Sequence, residues 1–140
     1  MSKVAVVYWS GTGNTEAMAN AVAQGVKEKG GECNILTADA FDASMLDEYG
    51  AVAFGCPSMG AEELEDSEFE PMFSACLPKL SGRKIALFGS YGWGDGEWMR
   101  NWEAECKNAG ANLSCDFVIC CETPDDEALD ACRAMGASLV

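Results

Sequence analysis

The sequence predicts an α/β protein in which a doubly wound, five-stranded parallel sheet carries helices on both faces. Five apolar, strand-like runs recur along the 140 residues, and helical apolar patterns lie between them. Strands that alternate with helices are joined by right-handed crossovers and therefore run parallel. Since no linker, repeat or low-complexity tract interrupts the alternation, we predict that residues 1–140 form a single domain.

The strands and helices follow from two different apolar periodicities. Each helical pattern is bounded by a stop or start signal: Gly30 ends the first, Pro78 and Gly110 follow the next two, and Pro124 opens the last. A weaker pattern in residues 39–49 allows a short helix around residues 44–48. The predicted strands are residues 4–9, 33–36, 51–56, 85–90 and 113–121. The predicted apolar helix faces are Met18, Ala19, Val22 and Val26; Phe69, Met72, Phe73 and Cys76; Trp98, Trp102, Cys106 and Ala109; and Leu129, Cys132, Met135 and Leu139.

The acidic composition limits the classes of partner. A formal net charge of −14 opposes binding to nucleic acid and to anionic membranes. Such a charge would steer a basic protein partner toward the chain and favours a monomer, although it also accounts for simple solubility. No apolar run is long enough to span a bilayer and no signal peptide is visible, so we predict a cytoplasmic protein.

Cysteine usage indicates free thiols in a reducing compartment. None of the eight cysteines forms a C-x-x-C pair, and the chain has no histidine. These absences argue against zinc and iron–sulfur sites, and against serine–histidine or cysteine–histidine catalysis. Several cysteines, among them Cys120 and Cys121, stand next to apolar residues, so we predict that they are buried.

A polar, glycine-rich loop follows the first strand directly. Residues 10–15 read Ser-Gly-Thr-Gly-Asn-Thr, and a helical pattern starts at once after them. Backbone N–H groups, hydroxyls and the helix dipole all favour an anion at such a loop. No Lys or Arg lies between Lys3 and Lys27, which argues against a nucleoside triphosphatase. The loop therefore predicts a terminal monophosphate on a larger cofactor.

Two further loops are predicted to meet this one at the carboxyl edge of the sheet, where ligands of doubly wound folds bind. They are residues 57–63 and 90–97. Trp93 stands between two glycines, a position suited to stacking on a planar ligand, and Met59 beside Gly60 would cover the opposite face. Each feature alone is more often ordinary packing, but the three loops together favour a cofactor site.

Residues 10–15, Met59-Gly60 and residues 90–96 (Ser-Tyr-Gly-Trp-Gly-Asp-Gly) together resemble the short-chain flavodoxins of anaerobic bacteria. The resemblance covers essentially the whole chain and implies a flavodoxin-like sheet of strand order 2-1-3-4-5 with non-covalently bound FMN. It also implies which residues bind the phosphate: the side chains of Ser10, Thr12, Asn14 and Thr15 and the N–H groups of Gly11 and Gly13.

The resemblance assigns the flavin to the other two loops. Trp93 and Met59 would sandwich the isoalloxazine, the Gly60 carbonyl would meet its N5 edge, and Glu62 would accept a hydrogen bond from N3–H. The remaining expected members of the cofactor site are Ser90, Tyr91 and Gly92, which would line the flavin and ribityl chain, and Ser58, Ala61, Gly94 and Asp95.

Ala61 stands where such flavodoxins often carry a residue more tolerant of positive φ. The resemblance implies that the Gly60–Ala61 peptide flips so that a carbonyl receives the N5 proton of the semiquinone. If the oxidised turn needs a positive φ at residue 61, alanine costs about 1 kcal/mol there. We hypothesise that this strain favours the semiquinone form, so that Ala61→Gly lowers the semiquinone yield; a larger yield would contradict it.

The function implied by the resemblance is a low-potential one-electron carrier that cycles FMN between semiquinone and hydroquinone and substitutes for ferredoxin. Such a protein is not an enzyme. Implied partners are redox enzymes of the pyruvate oxidoreductase, hydrogenase or ferredoxin–NADP reductase type. Two alternatives stay open: a flavodoxin-like NAD(P)H:quinone or nitro reductase, and a module that holds flavin without cycling it.

A run of acidic residues follows the second loop. Six acids fall within residues 62–70, and Glu62, Glu63, Glu65 and Asp66 are predicted to form a surface for basic partners. Their negative field would also lower the second reduction potential of the flavin. The alternative interpretation is a solvated surface with acids at a helix start, where the helix dipole favours them.

Overall fold

The computed structural model describes residues 3–59 and 63–140, and in this part of the chain a parallel sheet separates two helical layers. The strands are β1 (Lys3–Tyr8), β2 (Glu32–Thr37), β3 (Ala51–Gly55), β4 (Lys84–Tyr91), β5 (Asn112–Leu113) and β6 (Val118–Cys121). Their order is β2-β1-β3-β4-β5, and β6 also pairs with β4. The predicted doubly wound sheet of order 2-1-3-4-5 is therefore confirmed.

The helices are α1 (Asn14–Glu28), α2 (Phe69–Cys76), α3 (Glu97–Asn108) and α4 (Asp126–Ser138). Helices α1 and α4 cover one face of the sheet, and α2 and α3 cover the other. The weak pattern in residues 39–49 corresponds to short 3₁₀ segments at Ala38–Ala40 and Ala43–Glu48. Asp42 caps the second of these segments, because its carboxylate accepts a hydrogen bond from the Ser44 amide at 2.9 Å.

The predicted fifth strand is wrong as a continuous element, because it is broken into β5 and β6. Leu113 of β5 pairs with Ile85, and Val118 of β6 pairs with Phe88. Only two residues of β4 separate these partners, whereas residues 114–117 separate β5 from β6. The surplus residues cannot pair with β4 and leave the ladder as a bulge.

Alternation along β1 supplies both cores. Val4 and Val6 face α1 and α4, whereas Ala5 and Val7 face α2 and α3. Nearly all of the predicted apolar helix faces are buried, with Ala109 and Leu129 only half-buried. The core under α2 and α3 is aromatic: the rings of Phe69, Phe73, Phe54 and Trp102 lie edge-to-face or stacked, with centroids 5.1 to 6.2 Å apart.

Helices α1 and α4 approach each other through two glycines. A Cβ at Gly25 would lie 2.0 Å from the Arg133 carbonyl oxygen, and a Cβ at Gly136 would lie 2.0 Å from the Val22 carbonyl oxygen. The nearest atoms belong to the backbone in both cases, so no change of side-chain rotamer could make room for a Cβ. This contact fixes α1, and with it the loop that precedes α1, against the rest of the layer.

The cysteines are free thiols, but the prediction that they are buried holds only for some. Cys56, Cys76, Cys106 and Cys132 are buried, and burial raises the pKa of the Cys56, Cys106 and Cys132 thiols to about 12. Cys33, Cys115 and Cys120 are half-buried. Cys121, predicted to be buried, is exposed because it ends β6 at the rim of the sheet. Among the described residues, no helix is both long and apolar enough to cross a membrane.

Candidate functional site

A cavity of about 560 Å³ lies at the carboxyl edge of the sheet, a volume ordinary for a small-molecule site. The loops after β1, β3 and β4 converge on it, as the sequence predicts, and the turn after β6 closes a further side. Its lining residues are Trp9, Gly11, Thr12, Asn14, Pro57, Ser58, Met59, Ser90, Tyr91, Gly92, Trp93, Glu122 and Thr123.

The loop after β1 is held by its own hydrogen bonds. The Ser10 hydroxyl oxygen accepts from the Gly13 amide at 3.0 Å and from the Glu16 amide at 3.3 Å. Gly13 takes a left-handed φ of 93° immediately before α1 begins at Asn14. The loop thereby brings Thr12, Asn14 and the amino end of α1 to the cavity, where the helix dipole favours an anion.

Thr15 supports this loop from behind. Its side-chain oxygen shares a hydrogen bond of 3.0 Å with the Ser90 hydroxyl, and both residues are buried. Ser90 lies at the end of β4 and also lines the cavity. The pair therefore ties the first turn of α1 to the strand that leads into the Trp93 loop.

Met59 and Trp93 both line the cavity. The Trp93 side chain is 55% exposed, and Gly92 and Gly94 flank it. The Met59 amide donates to the Glu63 carbonyl at 2.8 Å, and the Glu63 amide donates back to the Met59 carbonyl at 2.8 Å. Gly60, Ala61 and Glu62, to which the sequence assigns the N5 and N3 contacts of the flavin, lie outside the described residues.

Gly94 and Asp95 do not line the cavity, although they were expected in the cofactor site. The Asp95 carboxylate forms an ion pair with Arg100 at 3.0 Å, and the Asp95 carbonyl oxygen accepts from Arg100 at 3.0 Å. Gly94 has a φ of 81°. Both residues therefore shape the turn that connects Trp93 to α3.

Four residues of the cavity wall are not among the cofactor contacts expected from the sequence: Trp9, Pro57, Glu122 and Thr123. Of these, Pro57 lies in the predicted loop of residues 57–63. The Trp9 indole lies over Gly11 and donates from Nε1 to the Glu68 carboxylate at 3.0 Å. Glu122 and Thr123 directly follow β6. The rule that ligands bind at the carboxyl ends of parallel strands indicates this last turn as well as the loops after β1, β3 and β4.

Glu65 does not belong to the acidic surface expected from the sequence, because it is buried. It is only 5% exposed, and its carboxylate accepts hydrogen bonds from the amides of Ser67, Glu68 and Phe69 at 2.8 to 2.9 Å. Burial raises the pKa of this carboxyl, but these bonds and one from the Ser67 hydroxyl outweigh burial and hold the pKa below its ordinary value. Glu65 therefore organises the start of α2, whereas Glu63 and Asp66 are exposed as predicted.

A second cavity of about 470 Å³ lies on the other side of Trp9. Three carboxylates line it, those of Glu16, Asp39 and Glu68. Because negative charges repel a phosphate, this cavity is a poor anion site even though Ser10 and Gly13 reach it. The cavity beside Trp93 and Met59 is the stronger candidate.

The donor set of the candidate site suits a ligand that is anionic at one end and planar and apolar elsewhere. Hydroxyl and amide groups gather near α1, and Met59, Tyr91 and Trp93 supply apolar surface. Ser58 on the same wall is 4% exposed, and its hydroxyl oxygen has no hydrogen-bond partner among the described residues. A buried hydroxyl without a partner is costly, so a ligand that bonds to it would relieve that cost.

Comparison with known proteins agrees with this geometry. A family model described as flavodoxin matches residues 6–136. The chain is 44% identical over 133 residues to the flavodoxin of Megasphaera elsdenii, with 95% of each chain covered, and 41% identical over 134 residues to that of Clostridium beijerinckii, with 96% of each covered. Its structure is similar to the solution structure of two-electron reduced Megasphaera elsdenii flavodoxin, with a TM-score of 0.89 and 97% of both chains covered. The chain therefore belongs to the flavodoxin family.

Proposed function

We propose that the cavity between residues 10–15 and the Met59 and Trp93 side chains is where this chain binds its cofactor. As a flavodoxin, the chain is an electron-transfer protein that uses non-covalently bound FMN, and a reductase activity is not favoured. When bound, FMN supplies single-electron chemistry that the polypeptide lacks. The observation that carries the proposal is that one cavity combines a neutral anion loop with a glycine-flanked indole.

The phosphate end would be bound by Thr12, Asn14 and the Gly11 amide. The Gly13 amide, which the resemblance also assigns to the phosphate, donates to the Ser10 hydroxyl at 3.0 Å and would shape the loop. Ser10 contributes indirectly, because its hydroxyl already accepts two backbone hydrogen bonds that hold the loop in shape. Thr15 likewise acts through Ser90. Neutral donors at a helix N-terminus suit a monophosphate. A polyphosphate carries more negative charge and would need a lysine and a metal ion to compensate it.

The ring end would lie between Trp93 and Met59, with Tyr91 and Gly92 along its side. Tyr91 packs on the buried Trp98, at a centroid distance of 5.5 Å, so its ring has a rigid support. Ser58 and Ser90 add hydroxyls to this wall, and Gly60, Ala61 and Glu62 complete our proposed cofactor contacts. Apolar walls on both sides exclude water from a planar ring and disfavour added negative charge.

The acidic surface would select the partners. Redox partners in general follow from the family, and we propose low-potential enzymes of the pyruvate oxidoreductase, hydrogenase or ferredoxin–NADP reductase type, which this chain would serve in place of ferredoxin. With a net charge of −14, the chain attracts a basic docking surface over long distances. The same charge opposes self-association, so we propose that the protein is a monomer. We also propose that it acts in the cytoplasm.

An anaerobic reductive titration of the FMN-loaded protein, followed by its visible spectrum, tests this function. We expect two resolved one-electron steps, because the apolar walls disfavour added negative charge and so make the second electron harder to add than the first. A single two-electron step would contradict the carrier function. Oxidation of NADH by the isolated protein would point instead to a reductase, so the same preparation is assayed for it.

A further inference from the structure

The Cys56 thiol lies at the base of the loop that carries Met59. Cys56 directly follows β3 and is fully buried, and the next three residues, 57–59, line the cavity. The Cys56 sulfur accepts a hydrogen bond from the Glu65 amide at 3.4 Å. One side chain therefore joins the residue before the Met59 loop, which we define as residues 57–64, to the residue after it.

The backbone of Cys56 is held firmly by its neighbours. Its amide donates to the Phe88 carbonyl at 3.1 Å, and its carbonyl oxygen accepts from the Trp98 indole at 3.2 Å. A Cβ at Gly89 would lie 2.2 Å from this carbonyl oxygen, so β4 packs directly against the Cys56 peptide. The sulfur is consequently a fixed point to which the far end of the loop is attached.

Glu65 fixes the far end of the loop. Its carboxylate accepts from the amides that begin α2, while its own amide points back to the Cys56 sulfur. Between the two ends, Met59 and Glu63 exchange two backbone hydrogen bonds of 2.8 Å. The contact between sulfur and amide thus lies directly below the pair of residues that presents Met59 to the cavity.

A protonated thiol suits this position. Sulfur is a weak acceptor, but a buried amide left without any acceptor would cost more than the bond itself contributes. Burial raises the pKa of the Cys56 thiol to about 12, so it keeps its proton near neutral pH. The thiol can therefore donate to the Pro57 carbonyl, 3.5 Å away, while its sulfur accepts from Glu65.

We propose that Cys56 is a positioning residue for the cofactor: its thiol holds the two ends of the Met59 loop together and so sets where Met59 lies on the cavity wall. This inference rests on the proposed function, because Met59 contacts a cofactor only if FMN occupies the cavity. Cys56 is not among the described residues that line the cavity, so it acts through Met59.

Cys56→Ala and Cys56→Ser test the hydrogen bond. Both shorten the side chain, but only serine keeps an atom that can accept from the Glu65 amide. The cofactor-free proteins are titrated with FMN and followed by flavin fluorescence. We expect Cys56→Ala to bind about three- to tenfold more weakly, the range of a lost hydrogen bond, and Cys56→Ser to lie closer to wild type. Unchanged affinity in Cys56→Ala, or equal losses in both variants, overturns the proposal.

A double-mutant cycle with Met59→Ala separates positioning from a general structural role. If Cys56 acts through Met59, its substitution has little left to disturb once the Met59 side chain is gone. We expect Cys56→Ala to weaken FMN binding by less than about twofold in the Met59→Ala background. Losses that multiply independently in the double variant overturn the proposal.

Cys106→Ala is the matched control. Cys106 is a buried thiol in the same core layer, but it lies on α3 and outside the Met59 loop. We expect a lower Tm, because a buried sulfur is lost, and an unchanged affinity for FMN. A Cys56→Ala protein that lowers Tm and leaves the affinity unchanged, as this control does, overturns the proposal.

Hydrogen exchange of the Glu65 amide in the FMN-loaded wild-type protein tests the contact without a substitution, and so applies even where Cys56→Ala does not fold. We expect this amide to be protected, and exchange as fast as in an exposed loop overturns the proposal. If the wild-type chain fails to bind FMN, the proposed function fails. If it binds FMN and the affinity does not depend on residue 56, only this inference fails.

Discussion

The two ends of the cavity are built in opposite ways. The loop of residues 10–15 is shaped by internal hydrogen bonds from Ser10 and by the buried contact of Thr15 with Ser90. The Trp93 wall presents a largely exposed indole flanked by glycines. The polar end is therefore set by the fold without a ligand, whereas the indole at the apolar end would become buried only against the proposed cofactor. Substitutions at the two ends should consequently separate cofactor affinity from protein stability.

Trp93→Ala should have the largest effect on affinity and almost none on stability. Loss of stacking on one aromatic ring costs about 1–3 kcal/mol, so we expect FMN to bind roughly 10- to 100-fold more weakly. Because the indole is exposed, the Tm of the cofactor-free protein should hardly change. Quenching of FMN fluorescence measures the affinity, and Trp93→Phe, which keeps a ring, serves as the control. Equal affinities for wild type and Trp93→Ala would remove Trp93 from the site.

Thr15→Val should show the reverse pattern, with stability as its main loss. The substitution leaves the buried Ser90 hydroxyl without its partner, which costs about 1–3 kcal/mol of unfolding free energy. Urea unfolding of the cofactor-free protein measures this. The double variant Thr15→Val/Ser90→Ala removes both partners and should recover most of the loss; a double variant as unstable as the single one would show that the hydrogen bond is not the cause.

Glu65→Gln should destabilise the protein in a pH-dependent way. The folded pKa of Glu65 lies below its unfolded value of about 4.3, so the ionised carboxylate stabilises the fold above that pH. That contribution is lost as pH falls through the folded pKa. We expect Glu65→Gln to lose about 0.5–2 kcal/mol at pH 7, the range of a lost helix cap, and to approach wild type in acid. Urea unfolding at several pH values measures the difference, and equal stability of the two proteins at pH 7 would contradict the expectation.

Ser58→Ala should have a smaller effect: it should raise the stability of the cofactor-free protein and lower its affinity for FMN. In the cofactor-free protein it removes a buried hydroxyl without a partner, so we expect a gain of up to about 1 kcal/mol in stability. With FMN bound, the same substitution should weaken affinity severalfold. Ser138→Ala is the control. The Ser138 hydroxyl lies away from the cavity and donates to the Met135 carbonyl at 2.6 Å. A loss of stability in the cofactor-free protein would show that the Ser58 hydroxyl already has a structural role.

Most of the fold could be predicted because its signals are local. The apolar runs of β1, β3 and β4 and the helical faces of α1 to α4 each depend on residues close together in sequence. The break between β5 and β6 could not be predicted in this way, because it depends on how many residues of β4 lie opposite. Cys121 was misplaced for the same reason, since its exposure follows from where β6 ends.

In the candidate site, too, local sequence predicts some residues and long-range contacts decide the others. The residue order in the loops indicated the anion loop and the proposed Trp93 and Met59 walls, because glycine, hydroxyl and aromatic residues have marked local preferences; the pairing of the two walls around a flavin came from the resemblance. Glu65 was assigned to a surface, yet it is buried under the amides of residues 67–69. Its acidic neighbours in the sequence give no indication of which carboxylate turns inward.

By itself, therefore, the sequence determined the order of strands and helices, and it predicted the loop that we propose for the phosphate and the ring that we propose to stack, since these follow from short-range periodicity and residue chemistry. Tertiary structure decided which residues of these loops line the cavity and which only support it. It turned Ser10 and Thr15 into supports of the loop and brought Glu122 and Thr123 to the cavity wall. The physical reason is that strand pairing joins loops from distant parts of the chain, and a residue's contacts across that edge depend on register and burial rather than on its sequence neighbours.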